Sequence, residues 1–147
     1  MEAMKVTTKT IYALQLLLAM ADRSQVSRAP IQLREIAETY NLPFKFLEQI
    51  AIALKGAGWI HGQRGKEGGY ILSISPRQLT MGDVLRLLEG DQSFSKANSH
   101  HSPQEEAIEA FLERCKVAVD NVSEHTSLSD LLEDAGKRRG TELEYQI

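Results

Sequence analysis

One cysteine, Cys115, occurs among 147 residues. A lone thiol forms no intramolecular disulfide and is too few for a thiolate-only zinc or iron–sulfur site. Long hydrophobic runs are missing too. The longest, Ile11 to Ala21, is interrupted by Gln15, falls short of a membrane span and precedes no small-residue cleavage pattern. This predicts a cytoplasmic protein away from any membrane. Catalytic signatures are absent: there is no nucleophile elbow, phosphate loop, spaced set of metal ligands or pair of carboxylates in a plausible cleft. Gly68-Gly69 lacks the downstream helix of a dinucleotide fingerprint. An enzyme is therefore not expected, and no internal repeat or low-complexity tract suggests an array.

What is present is the composition of one folded domain, 42% apolar and 25% charged. The net charge of −3 is unevenly spread. Residues 1–80 hold 10 Lys and Arg against 6 Asp and Glu, or +4, whereas residues 81–147 hold 7 against 14, or −7. The field a partner meets is local, so this split fits a basic binding module joined to an acidic helical one.

Apolar spacing predicts a first helix over Thr7 to Ala21 with Ile11, Leu14, Leu18 and Ala21 inward. After a polar connection ending at Pro30, Leu33, Ile36 and Ala37 define a short second helix to about Tyr40. Asn41 tolerates a left-handed stop, and Pro43 suits the first position of a third helix. That helix directs Phe46, Leu47, Ile50 and Leu54 inward and ends at Gly56-Ala57-Gly58. Two short helices joined by a tight turn form a helix-turn-helix pattern. Trp59 to Gln63 and Tyr70 to Ile74 then read as strands around the glycine-rich tip Arg64 to Gly69. Positive φ at those glycines would leave Arg64 and Lys66 free to reach phosphates or a narrow minor groove. The expected fold is mainly α with a small β-hairpin: a winged helix-turn-helix.

A capping box at Thr80 to Asp83 opens a fourth helix to Glu89, stopped by Gly90. Residues 91–102 read as a polar loop. Ser102-Pro103-Gln104-Glu105 is a strong helix start, and Ile108, Phe111, Leu112, Cys115, Ala118, Val119 and Val122 trace one seam along about twenty residues. A second copy of the chain is the economical cover for this seam, giving a long C-terminal dimerisation helix. The first helix or the final segment folding back is the alternative. Thr126 to Leu132 starts a short closing helix. The plan is thus a DNA-binding domain over 1–90, a loop over 91–102, the long and closing helices over 103–135, and a loose tail over 136–147.

Several of these segments together resemble the Rrf-two family of bacterial winged-helix regulators. They are Lys5 to Lys9 with Tyr12-Ala13, Leu33 to Ala37, Phe46 to Ile50, Leu54 to Gly58, Arg64 to Tyr70, Thr80 to Gly90 and Ser127 to Leu132. The resemblance spans roughly residues 4–132. It implies a homodimeric transcription factor, usually a repressor, that grips a pseudo-palindromic operator in double-stranded DNA. Carried onto this chain, the base-reading positions fall on Lys45, Glu48 and Gln49, the minor-groove probe on Arg64, and phosphate contacts on Thr8 and Lys9. The chemistry suits these roles, since Gln pairs with adenine, Glu accepts from cytosine and Lys donates to guanine or phosphate.

Departures from the pattern matter as well. Many relatives place three cysteines between the fourth and the long helix to hold an iron–sulfur cluster, but Asp91 to Ser102 has none. The comparison therefore moves to the cluster-free branch, typified by its cysteine metabolism repressor, with no cofactor and no metal site expected. In that branch the regulator answers to a protein partner, an O-acetylserine lyase. Ile11 stands where relatives often carry an arginine, and Gln32 replaces the usual small cap of the second helix. Two other readings stay open: a winged helix that docks proteins, and a metal or cluster sensor using His100, His101 and Cys115.

Overall fold

The computed structural model describes residues 6–90 and 102–145. Among the described residues, six helices and one hairpin follow in chain order: α1 (Thr8–Ser24), α2 (Leu33–Tyr40), α3 (Phe44–Gly56), β1 (Ile60–Gln63), β2 (Gly69–Leu72), α4 (Met81–Glu89), α5 (Pro103–Glu124) and α6 (Leu128–Tyr145). α1 lies at the centre and packs against α3, α4, β2 and α6. The core has no solvent exposure at Leu16 and Leu17 of α1, Leu47, Ile50 and Leu54 of α3, or Leu128 of α6. Burying one such side chain contributes about 1.5–3 kcal/mol, so the helix-turn-helix is seated by its own apolar stripe.

α1 is rotated from the expected phase. Thr10, Ala13, Leu17 and Met20 point inward and Ile11 faces solvent, while Leu14 and Leu18 are half-buried. The reason is Thr10, whose hydroxyl loses its polarity problem by donating to Glu89 Oε1 at 2.5 Å. Beyond it the Leu- and Ala-rich run is apolar on nearly every side, so spacing alone does not set the rotation.

The turn between α2 and α3 forms as its residues dictate. Asn41 adopts the left-handed region at φ 53°, and Leu42 N–H donates to Ala37 O at 2.9 Å. Gln32 makes no side-chain cap. Pro43 is the cap residue of α3 rather than its first helical residue. Both strands are also shorter than expected, although Ser73 N–H still donates to Trp59 O at 2.8 Å.

The hairpin is antiparallel, with Ile60 opposite Leu72 and Gln63 opposite Gly69. Ile31 adds a third rung: its N–H donates to Tyr70 O at 2.9 Å, and Tyr70 N–H returns to Ile31 O at 2.8 Å. Only Gly65 of the tip glycines has positive φ, at 126°. Gly68 and Gly69 serve close approach instead. A Cβ on Gly69 would lie 2.5 Å from Ile31 O, and one on Gly68 would strike Gln63 O.

Capping boxes start α4 (Thr80 with Asp83) and α6 (Ser127 with Asp130), and Ser102 Oγ accepts from Glu105 N–H at 3.2 Å to start α5. α5 packs on α4, where Arg86 bridges Asp83 at 2.8 Å and Glu124. Burial alone would push the Asp83 carboxyl up. The Thr80 N–H and hydroxyl and the Arg86 guanidinium outweigh it and hold the group below the usual carboxylate range. The hydrogen bond to Glu124, reinforced by Asp83, raises Arg86 in turn.

The closing segment is no tail. α6 continues for 18 residues to Tyr145, past the boundary at 135 that the sequence suggested. Gly136 and Gly140 disguise it, whereas ion pairs Lys137–Glu133 and Arg138–Asp134 at i,i+4 support it. α6 lies along α1, with Arg139 4.0 Å from Asp22.

Candidate nucleic-acid interface

α3 presents its outer face to solvent because its inner face is fully used. Leu47, Ile50, Ala51 and Leu54 have no exposure, and Phe46, half-buried, meets Tyr12 of α1 edge to face at 5.6 Å and 88°. These contacts fix the rotation of the helix. Lys45, Glu48 and Gln49, three and four residues apart, consequently share the exposed face. None forms an ion pair or hydrogen bond with another side chain among the described residues, leaving their donors and acceptors available. Ile52, one turn on, is exposed on the same face.

The wing stands beside this helix. A groove of about 430 Å³ runs between them, lined by Arg34, Phe44, Glu48, Ile52, Gly69 and Tyr70. Arg64 and Lys66 at the tip are exposed and unpaired among the described residues. Thr8 is exposed and Lys9 half-exposed in the first turn of α1. Arg34 is a residue that sequence reasoning did not single out. Its guanidinium lies 4.4 Å from the centroid of the Phe44 ring, on the wall of the groove. Only a pairing of an outward Arg on α2 with an aromatic in the first turn of α3 would have signalled it.

The residues expected at a dimer seam divide into two groups. Leu112 is buried and Cys115 and Val119 are half-buried, whereas Ile108, Phe111 and Val122 remain 55%, 56% and 67% exposed. α6, the alternative cover, lies along α1 instead. His100 and His101 lie outside the described residues. Among the described residues, no three His, Cys, Asp or Glu side chains are grouped to hold a metal ion, and no helix is long and apolar enough to cross a membrane.

The profile of the Rrf2 family, described as an iron-dependent transcriptional regulator, matches residues 6–134. The chain belongs to the Rrf2 family. A relative in that family is the transcriptional regulator CymR of Bacillus subtilis, 34% identical over 128 residues, covering 87% of this chain and 89% of CymR. The solved structure of B. subtilis CymR, that organism's global cysteine regulator, superposes with a TM-score of 0.75 over 88% of this chain and 96% of that one. The T. potens IscR structure superposes at 0.72 with 33% identity, covering 89% and 88%. The fold is thus the Rrf2 winged helix, and its function is DNA-binding transcription regulation. The family description invokes iron. A thiolate-only cluster takes several cysteines, and this chain has one, half-buried on α5, so its thiols do not fit such a group.

Proposed function

We propose that the chain acts as a homodimeric regulator, most simply a repressor, that binds a pseudo-palindromic operator without a cluster and without catalysing a reaction. The observation that carries this reading is the row Lys45, Glu48 and Gln49, held outward on a helix whose rotation the core fixes, beside a wing tipped by Arg64 and Lys66. Lys45, Glu48 and Gln49 read bases in the major groove, and Arg64 enters the minor groove. Thr8, Lys9 and Lys66 meet phosphates. The exposed Ile108, Phe111 and Val122 pair with the same face of a second copy, setting two reading helices about 34 Å apart, one turn of duplex. Likeness to CymR, a global cysteine regulator, supports a role in cysteine metabolism; in this reading the protein acts in the cytoplasm and its regulatory partner is an O-acetylserine lyase.

Paired substitutions test the division of labour. Gln49→Ala should weaken operator binding by about 1–3 kcal/mol and relax preference at one base pair, with little effect on random duplex. Lys9→Ala should weaken both alike and lower the salt dependence. Equal losses on operator and random DNA for Gln49→Ala would remove it from the reading set.

A further inference from the structure

Ile52 is 73% exposed in the middle of α3, while Ile50, Ala51 and Leu54 around it have no exposure at all. The core stripe of the helix is complete without it. A β-branched residue is also a poorer helix former than the Lys, Gln or Glu that a solvent-facing position favours. Both terms oppose an isoleucine here. Its position explains it: Ile52 is four residues from Glu48 and three from Gln49, so it extends the outward row by one turn. From Lys45 to Ile52 the row covers about 10 Å, roughly three base-pair steps.

We infer that Ile52 reads the C5-methyl of a thymine in the major groove, an inference that rests on the DNA-binding function proposed above. Thymine's methyl is the one apolar group that base edges present there, and an isoleucine makes no hydrogen bond to anything else on those edges. The neighbours favour a duplex over a protein. The exposed residues that share its row, Lys45, Glu48 and Gln49, are polar, and the apolar groove residues beside it, Phe44 and Tyr70, are half-buried, whereas a docking surface for a protein needs a broad exposed apolar patch. With Phe44 and Gly69 it lines the groove between α3 and the wing, so it faces the same space as Glu48.

Uracil in place of thymine removes this methyl and nothing else. On a duplex selected by the full chain from a random pool, uracil placed singly at each thymine should weaken binding about fourfold at one position per half-site, the effect of one buried methyl group. Ile52→Ala and Ile52→Gln should bind the thymine and uracil duplexes equally at that position, with melting temperatures close to that of the wild type. Indifference of the wild type to uracil everywhere, or an unchanged uracil effect in both variants, overturns the inference while selective DNA binding stands. Failure to bind any duplex overturns the DNA-binding reading itself, and this contact with it.

Discussion

A carboxylate at a helix C-terminus meets the negative end of the helix dipole, and Glu89 closes α4. Three donors offset that placement. The Thr7 N–H reaches Glu89 Oε1 at 2.9 Å, and the hydroxyls of Thr7 and Thr10 reach it at 2.5 Å. Thr10 is fully buried, so Glu89→Ala leaves its hydroxyl without this acceptor. The expected loss is about 1–3 kcal/mol, read from the urea midpoint at unchanged slope. The same carboxylate orders the turn that carries Thr8 and Lys9, so the variant should also bind DNA of any sequence less well. Thr10 shows why the face of α1 was hidden in the sequence. A threonine becomes an inward residue only through a partner 79 positions away.

At the scale of elements, Gly136 sits within α6, and a Cβ there meets nothing within 4 Å. Gly136→Ala should therefore stabilise the chain by about 0.5–1 kcal/mol, visible as a higher melting temperature. The junction of α4 and α5 responds to acid. Asp83 is held below the ordinary carboxylate value, so its contribution is present above the unfolded value near 3.9 and disappears as pH falls through the lower folded one. Asp83→Asn should be less stable than the wild type near neutrality, by less than about 1 kcal/mol because the carboxylate is partly exposed. The gap should close below about pH 4 in paired urea titrations. Elements that start on local chemistry were legible: Thr80 with Asp83, Ser102 before Pro103, and Asn41 in its left-handed turn. Elements held by distant contacts were not. α6 outlasts two glycines because it leans on α1, and Ile31 becomes a strand rung only through Tyr70. The outward row of α3 was readable because its spacing follows from the buried stripe. The Arg34–Phe44 contact depends instead on how two helices cross.

For the molecule as a whole, the proposed dimer makes one surface meet its own copy, so a single substitution counts twice. Phe111 is 56% exposed between Ile108 and Val122. Phe111→Asp places two carboxylates in the joint and should give monomers in sedimentation at concentrations where the wild type is dimeric. Its operator affinity should fall further than its affinity for random duplex, since only the dimer engages two half-sites. A monomeric wild type would end the two-half-site scheme. The uneven charge points the same way. In the proposed dimer the +4 front half would meet phosphates, and the −7 rear half would keep the pairing helices off the duplex.

The backbone link between Ile31 and Tyr70 has a mechanical consequence for recognition. It joins the wing to the segment that leads into α2, and α2 turns directly into α3 at Asn41. In the proposed complex, a duplex that displaces Arg64 should therefore shift α3 with it. On that reading, groove width at the tip and base identity along the helix are sensed together, through two hydrogen bonds between Ile31 and Tyr70.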